Sequence, residues 1–402
     1  MTAAGAGESV DYADYRRAFE GRAMPFAYLN RDLLDQNLRE IVARAGQTTV
    51  RVATKSIRSE AITRHILAAD PRIQGLMCYT APEAVHLADR GFDDILVAYP
   101  TWEPTHVDAV ARAVASGKSI TLMVDSVEHV QHLDAIAARE SSTIPVCIDV
   151  DMSLDLPGLR FGVWRSPIRT AKSAATLAQW VASSEHLSLE GIMGYEAQVA
   201  GLPDRIPGQT LKNPLVRRLK KASISRVAAR RAAVVRAVRE VGPLRFVNGG
   251  GTGSVASTSA EDVVTEVTVG SGFYSPTLFD HYDDFRYAPA VGFAIQIVRQ
   301  PTPDIYTCLG GGYIASGAVG PEKQPEPYLP HGARLLPTEG TGEVQTPIRY
   351  RGPERLRLGD PIFLRHAKAG ELCERFTHLL VLSGGRVVDE VTTYRGDGLS
   401  FL

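Results

Sequence analysis

Lys55 stands at the end of a short β-like run, 50–55, that follows a helix-like stretch over 32–45. A lysine at the C-terminal end of the first strand of a β/α barrel points into the barrel mouth, where such barrels keep their chemistry. Desolvated there, its amine can form a Schiff base with a carbonyl such as that of pyridoxal phosphate; elsewhere it would be one more solvated surface charge. Further on, Asn248-Gly249-Gly250-Gly251-Thr252-Gly253-Ser254 follows an apolar run. Its backbone amides can converge on an anion such as phosphate, with Gly251 and Gly253 permitting close approach and Thr252 adding a hydroxyl; the alternative is a plain mobile turn. No Gly-Lys-Ser/Thr ending makes it a Walker loop. A second strand-and-glycine pattern over 265–274 can bring Gly272, Phe273 or Tyr274 to the same anion, or end a strand in an ordinary turn.

Three further groups carry chemistry. Arg160 follows Asp149-Val150-Asp151 in a strand-to-loop context and is either a fork-shaped cation for a phenolate or carboxylate, or a surface arginine paired with Asp155. Tyr195, at the end of the apolar run 189–194, can stack on an aromatic cofactor or serve as a half-buried structural tyrosine. His366 and Lys368 lie two apart in 363–371, and alternation along an extended segment puts imidazole and ammonium on one face. Taken singly, a histidine and a strand lysine are more often structural and solvated.

The elements that must position these groups follow from patterning. Short apolar runs at 26–29, 49–53, 75–78, 94–98, 119–124, 145–149, 189–194, 245–248 and 266–269 alternate with helical stretches such as 81–90 and 171–183. That alternation predicts parallel strands with crossover helices, an eightfold β/α barrel with one extra strand, against a doubly wound open sheet. Beyond 284 the segments 294–299, 333–336, 361–365, 377–382 and 386–391 are β-rich, punctuated by Gly and Pro, with no long amphipathic helix between them. The expected division is an N-terminal segment 1–24, a barrel 25–285 and a mainly antiparallel β domain 286–402. Residues 310–330, rich in Gly and Pro, read as a long loop.

Composition limits the rest. With 402 residues, 44% hydrophobic and 22% charged, the chain is an ordinary globular protein with room for two domains. A net charge of -1 gives no footing for nucleic acid or an anionic membrane, and the basic run 217–221 reads as a solvated helix face rather than a phosphate patch. Cys78, Cys147, Cys308 and Cys373 lack metal-finger spacing and look like reduced thiols. Residues 1–9 do not resemble a secretory signal, and no apolar stretch approaches a membrane span, so a cytoplasmic protein is expected.

In order, these pieces resemble the pyridoxal-phosphate enzymes of the alanine racemase-like fold, most closely the branch of D-threonine aldolases and D-serine dehydratases. The likeness runs from Pro25-Phe26-Ala27-Tyr28-Leu29 as opening strand through 51–55, 149–162, Gly191-Ile192-Met193-Gly194-Tyr195-Glu196, 249–254 and 266–274 to His366 and the closing 387–396. It implies a barrel followed by a β domain, in a homodimer with sites at the interface. Lys55 would hold the cofactor, Arg160 lie near its phenolate, Tyr195 near its ring, and Gly251, Thr252, Gly253, Gly272, Phe273 and Tyr274 near its phosphate. In this branch the late histidine is followed two residues on by Cys or Asp, and the two bind a divalent metal. Here that position is Lys368, whose ammonium repels a metal. Either Glu371 or Cys373 joins His366 as ligand, or Lys368 supplies the charge itself; the alternating geometry favours the latter.

The expected activity is a lyase on a β-hydroxy-α-amino acid, by retro-aldol cleavage or by β-elimination, with Lys55, His366 and Lys368 as catalytic groups and a protonated His366 able to donate in elimination. The D configuration is implied only by the resemblance. Alternatives are a racemase or epimerase using Tyr313 as second base, a non-catalytic pyridoxal-phosphate carrier, and a cofactor-free sugar-phosphate barrel.

Overall fold

The computed structural model describes residues 10–205, 211 and 213–401. Eight parallel strands close into a barrel: Thr49–Ala53, Ile73–Cys78, Ile95–Pro100, Ile120–Val124, Ile144–Asp149, Leu187–Gly194, Phe246–Gly249 and Glu266–Val269. They are called the first to eighth strands below. The eighth pairs back onto the first, with Val267 opposite Val50. Continuous burial along the fourth strand, Ile120–Val124, explains why these runs lack hydrophobic alternation: a parallel barrel strand is covered on both faces. Leu96, Met123, Cys147, Met193 and Phe246, with Met77 packed against them, fill the interior. Gly191 is required by its neighbour, since a Cβ there would collide with the Phe246 ring.

Hydroxyl side chains start the outer helices. Thr80 caps Ala81–Asp89, Ser126 caps Val127–Arg139, and Thr170 forms a capping box on Ala171–Ala182. The longest helix, Asn213–Arg239, carries the basic run. Arg217, Arg218 and Lys221 are exposed as expected, but Lys220 is buried and donates to Asp204 (2.7 Å) and to the Leu202 carbonyl (2.8 Å).

The chain divides into two compact units: the barrel unit, Glu40–Lys55 and Thr63–Gly270 with Phe401, and a sheet unit made of the chain up to Arg39, Ser56–Ile62 and Ser271–Ser400. The sheet unit holds a nine-stranded, mostly antiparallel sheet whose main path runs Arg334–Leu335, Gln345–Arg349, Ile305–Leu309, Val291–Thr302, Phe26–Asn30, His378–Ser383, Arg386–Thr392. Strands Glu326–Leu329 and Pro361–Arg365 attach at its side. The expectation that 26–29 opens the barrel is corrected here: Phe26–Asn30 pairs antiparallel with Val291–Thr302 and parallel with His378–Ser383. Its aromatic residues explain the placement, because Phe26 and Tyr28 join Tyr15, Phe19 and Phe363 in an aromatic cluster of this unit. The long loop expected at 310–330 contains the strand Glu326–Leu329 at its end. Among the described residues no helix is long and apolar enough to cross a membrane.

Candidate active site

Since all eight barrel strands are parallel, their C-terminal ends and following turns share one end of the barrel. Lys55 lies in the single 3₁₀ turn Thr54–Ser56 directly after the first strand, a turn anchored by Thr54 Oγ1 donating to the Met77 carbonyl (3.1 Å). Lys55 is exposed.

The arginine that the fold turns toward the mouth is Arg165. Its Nε donates to Asp149 Oδ2 (2.9 Å) at the end of the fifth strand and its Nη2 to the Ala98 carbonyl (2.9 Å) of the third. The guanidinium carbon lies 5.0 Å from the Tyr99 ring centroid and 5.7 Å from that of Tyr195. Burial pushes the Asp149 carboxyl up, and Arg165 opposes that shift. Arg160 is placed differently. It sits on a hairpin, Leu154–Leu156 and Leu159–Phe161, where it pairs with Asp151, donates to the Val163 carbonyl (3.3 Å) and lies over Trp164 at 4.0 Å. Asp155, its expected partner, is at 3.8 Å. Both arginines follow the acidic strand end in sequence. Only the hairpin turns one aside, and no local pattern distinguishes them.

Tyr195 follows the sixth strand, and burial with the adjacent Glu196 carboxylate pushes its phenol up to about 12, so it stays a neutral hydroxyl. It borders the glycine loop: a Cβ added to Gly251 would stand 2.9 Å from Ala200 Cβ and 3.2 Å from Tyr195 Cε2. Gly250 adopts φ +79°, a left-handed conformation that favours glycine. The loop then enters the 3₁₀ turn Thr252–Ser254 and the short helix Val255–Ser259. Small residues, an aromatic ring and a turn of backbone amides at one barrel mouth are a fitting donor set for a flat phosphorylated cofactor.

Glu196 was passed over at the level of sequence. Its side chain is 3% exposed and accepts hydrogen bonds from Arg231 Nη2 (2.7 Å), Ser254 Oγ (2.6 Å), Thr258 Oγ1 (2.6 Å) and the Gly250 amide (3.3 Å). The only signal was an acidic residue ending a buried strand, and its cation lies 35 residues away.

After the eighth strand the chain enters the short helix Ser271–Tyr274, which belongs to the sheet unit. Phe273 and Tyr274 are buried there, Asn37 Nδ2 donating to the Phe273 carbonyl (3.0 Å) and Tyr274 Oη to the Ile57 carbonyl (3.0 Å). The Tyr274 hydroxyl is therefore occupied structurally.

His366 and Lys368 do not share the face of a strand. Strand Pro361–Arg365 stops at Arg365, and the chain bends through 367–368 to a turn at Gly370, φ +90°. Lys368 Nζ donates to the carbonyl and Oγ of Ser316 (3.2 Å each), and the Ser316 amide donates to Glu371 (2.9 Å). His366 is fully buried, 6.5 Å from the Tyr274 ring, and neither ring nitrogen makes a hydrogen bond of normal geometry. Burial, with the Arg365 guanidinium beside it, lowers its pKa to about 3, the Val291 backbone opposing only in part. Burial thus favours the neutral imidazole near pH 7, whereas the elimination route expected from the sequence uses a protonated one. Among the described residues no three or more His, Cys, Asp and Glu side chains are grouped to hold a metal ion.

Comparison with known proteins agrees with this architecture. The family model described as alanine racemase, N-terminal domain, matches residues 29–276. A curated relative, 3-hydroxy-D-aspartate aldolase of Paracoccus denitrificans (strain Pd 1222), is 26% identical over 198 residues; the match spans 49% of this chain and 46% of that protein, about half of each. Among solved structures, D-threonine aldolase from Filomicrobium marinum superposes with TM-score 0.79 at 18% identity over 94% of this chain and 96% of that one. D-threo-3-hydroxyaspartate dehydratase from Delftia sp. HT23 gives 0.74 at 19%, over 93% and 98%. At such identities the structural likeness speaks to the fold.

Proposed function

As the chain belongs to the alanine racemase N-terminal domain family, we propose that it is a pyridoxal-phosphate lyase acting on a β-hydroxy-α-amino acid of D configuration. The observation that carries this reading is the barrel mouth, where Lys55 ends the first strand and the Arg165–Asp149 pair, Tyr195 and the glycine loop end the third to seventh. When bound, the cofactor supplies an electron sink for a carbanion at Cα.

Each residue then has a task. Lys55 would hold the cofactor through its amine, which could also serve as a base at Cα. Gly251, Thr252 and Gly253, with Gly272 and Phe273, would receive the phosphate. Tyr195, a neutral phenol, would border the ring. Arg165 would replace Arg160 as the cation offered to the phenolate, because its guanidinium lies 5.7 Å from the Tyr195 ring whereas Arg160 sits on the hairpin against Asp151. Of the two groups proposed to handle the β-oxygen, Lys368 carries an ammonium able to donate, while burial lowers the His366 pKa to about 3, which keeps its imidazole neutral near pH 7 and makes it a weak base there. The state of His366 therefore favours neither retro-aldol cleavage nor elimination. A neutral buried imidazole is also the form that ligates a divalent ion. The racemase alternative requires Tyr313 as a base, and burial raises its pKa, which works against that role.

The relatives' activities, an aldolase and a dehydratase on 3-hydroxyaspartate and an aldolase on D-threonine, support the substrate class. A cytoplasmic location, supported by four free, buried cysteines, and a homodimer, carried over from the family resemblance, complete the proposal. The test is the visible absorption of purified protein, followed by D- and L-β-hydroxy amino acids with and without chelator, assaying aldehyde, ketoacid and ammonia. A visible band absent from Lys55→Ala, with aldehyde or ketoacid released from the D isomers, is expected. A colourless protein that takes up no pyridoxal phosphate refutes the reading.

A further inference from the structure

A carboxylate directly behind an anion-binding loop is electrostatically adverse unless it is neutralised and its lone pairs are used. Glu196 meets both conditions. Arg231, 0% exposed and projecting from helix Asn213–Arg239, pairs with Glu196 Oε2 at 2.7 Å, also donates to the Gly194 carbonyl (2.8 Å), and reaches Glu261 on its other side. The remaining acceptor capacity of Glu196 is spent on one segment: the Gly250 amide, the Ser254 hydroxyl and the Thr258 hydroxyl. Ser254 Oγ in turn receives the Gly251 amide (3.1 Å). One side chain therefore fixes the amide of Gly250 directly and that of Gly251 through Ser254, and pins the start of Val255–Ser259. It does so from the residue adjoining Tyr195, whose ring packs beside Gly251.

We propose that Glu196, with Arg231 as its buried counter-ion, is a positioning residue that holds the glycine loop in its anion-receiving shape and ties that shape to Tyr195. This rests on the reading of the loop as the cofactor's phosphate site. The carboxylate faces donors belonging to the protein: Arg231, the Gly250 amide and the Ser254 and Thr258 hydroxyls. Its effect on affinity comes from preorganisation: without it, the loop must be ordered when the phosphate binds.

The experiment compares Kd for pyridoxal phosphate with Kd for pyridoxal, which lacks the phosphate, in wild type, Glu196→Gln and Ser254→Ala, following visible absorption and the ³¹P resonance of the bound phosphate. Glu196→Gln keeps the shape but places an amide where hydrogen-bond donors converge. A loss of about tenfold or more in pyridoxal-phosphate affinity is expected, as for leaving buried donors unpaired. Pyridoxal affinity should be nearly unchanged and the ³¹P signal shifted or broadened. Ser254→Ala, a smaller change for use if Glu196→Gln does not fold, should move the same ratio in the same direction. Equal losses for both ligands, or an unchanged ratio, overturn the positioning role while leaving the cofactor assignment intact. Wild type that binds neither ligand overturns the cofactor assignment, and the positioning role with it.

Discussion

At the scale of single residues, the proposed roles of Arg165 and His366 are the most open to test. Arg165 is held by a carboxylate and a backbone carbonyl beneath two tyrosine rings, a geometry a lysine cannot reproduce with its single nitrogen. Arg165→Lys should weaken cofactor binding by about tenfold, in line with loss of a charge-assisted hydrogen bond, while Arg160→Lys leaves it nearly unchanged; absorbance titration with pyridoxal phosphate distinguishes the two. His366 gives a pH signature. Its folded pKa of about 3 lies below the ordinary 6.5, so the stability it contributes is present above pH 6.5 and is lost as pH falls toward 3. Between about pH 7.5 and pH 5 the wild type should lose about 2 kcal/mol through this group. His366→Gln should lack that component when both proteins are unfolded in urea with chelator present.

At the scale of elements, the barrel interior is stitched by charge as well as by packing. Arg51 of the first strand, 1% exposed, donates to Glu266 of the eighth (2.7 and 2.8 Å) and to Asp94 before the third (3.1 Å), and Asn248 of the seventh donates to Glu266 (2.8 Å) and Thr268 (2.8 Å). Gly75 is required beside this cluster, with φ +68° and no space for a Cβ against Arg51 and Asp94. Glu266→Gln should cost about 2 kcal/mol, because the buried Arg51 guanidinium loses one of its two carboxylate partners and keeps Asp94. Arg245→Ala, removing a half-exposed arginine that also pairs with Asp94, should cost at most about 1 kcal/mol. Urea unfolding of the two variants checks the contrast.

At the scale of the whole molecule, a cofactor that binds only the folded barrel must stabilise it. Pyridoxal phosphate at a hundred times its Kd should add about 2.7 kcal/mol, seen as a rise in Tm that Lys55→Ala reduces. Sedimentation of the same samples should report a dimer, and a monomeric holoenzyme with full activity would remove the homodimer from the proposal.

All eight barrel strands were legible in the sequence, two of them, 49–53 and 266–269, to the residue, since buried parallel strands are continuous apolar runs bounded by turn residues. Lys55, Tyr195 and the glycine loop were legible for the same reason: each adjoins such a run. The shared order of these pieces also determined the family. Tertiary structure alone decided that Phe26–Asn30 serves the other sheet, because an apolar strand carries no mark of its partner until registers such as Ala27 with Phe293 and Leu379 are formed. It also set Arg160 against Asp151 and Arg165 against Asp149, placed Arg231 against Glu196, and ended the strand before His366. Each of these outcomes depends on burial and charge pairing between residues far apart in the chain, and local pattern records neither.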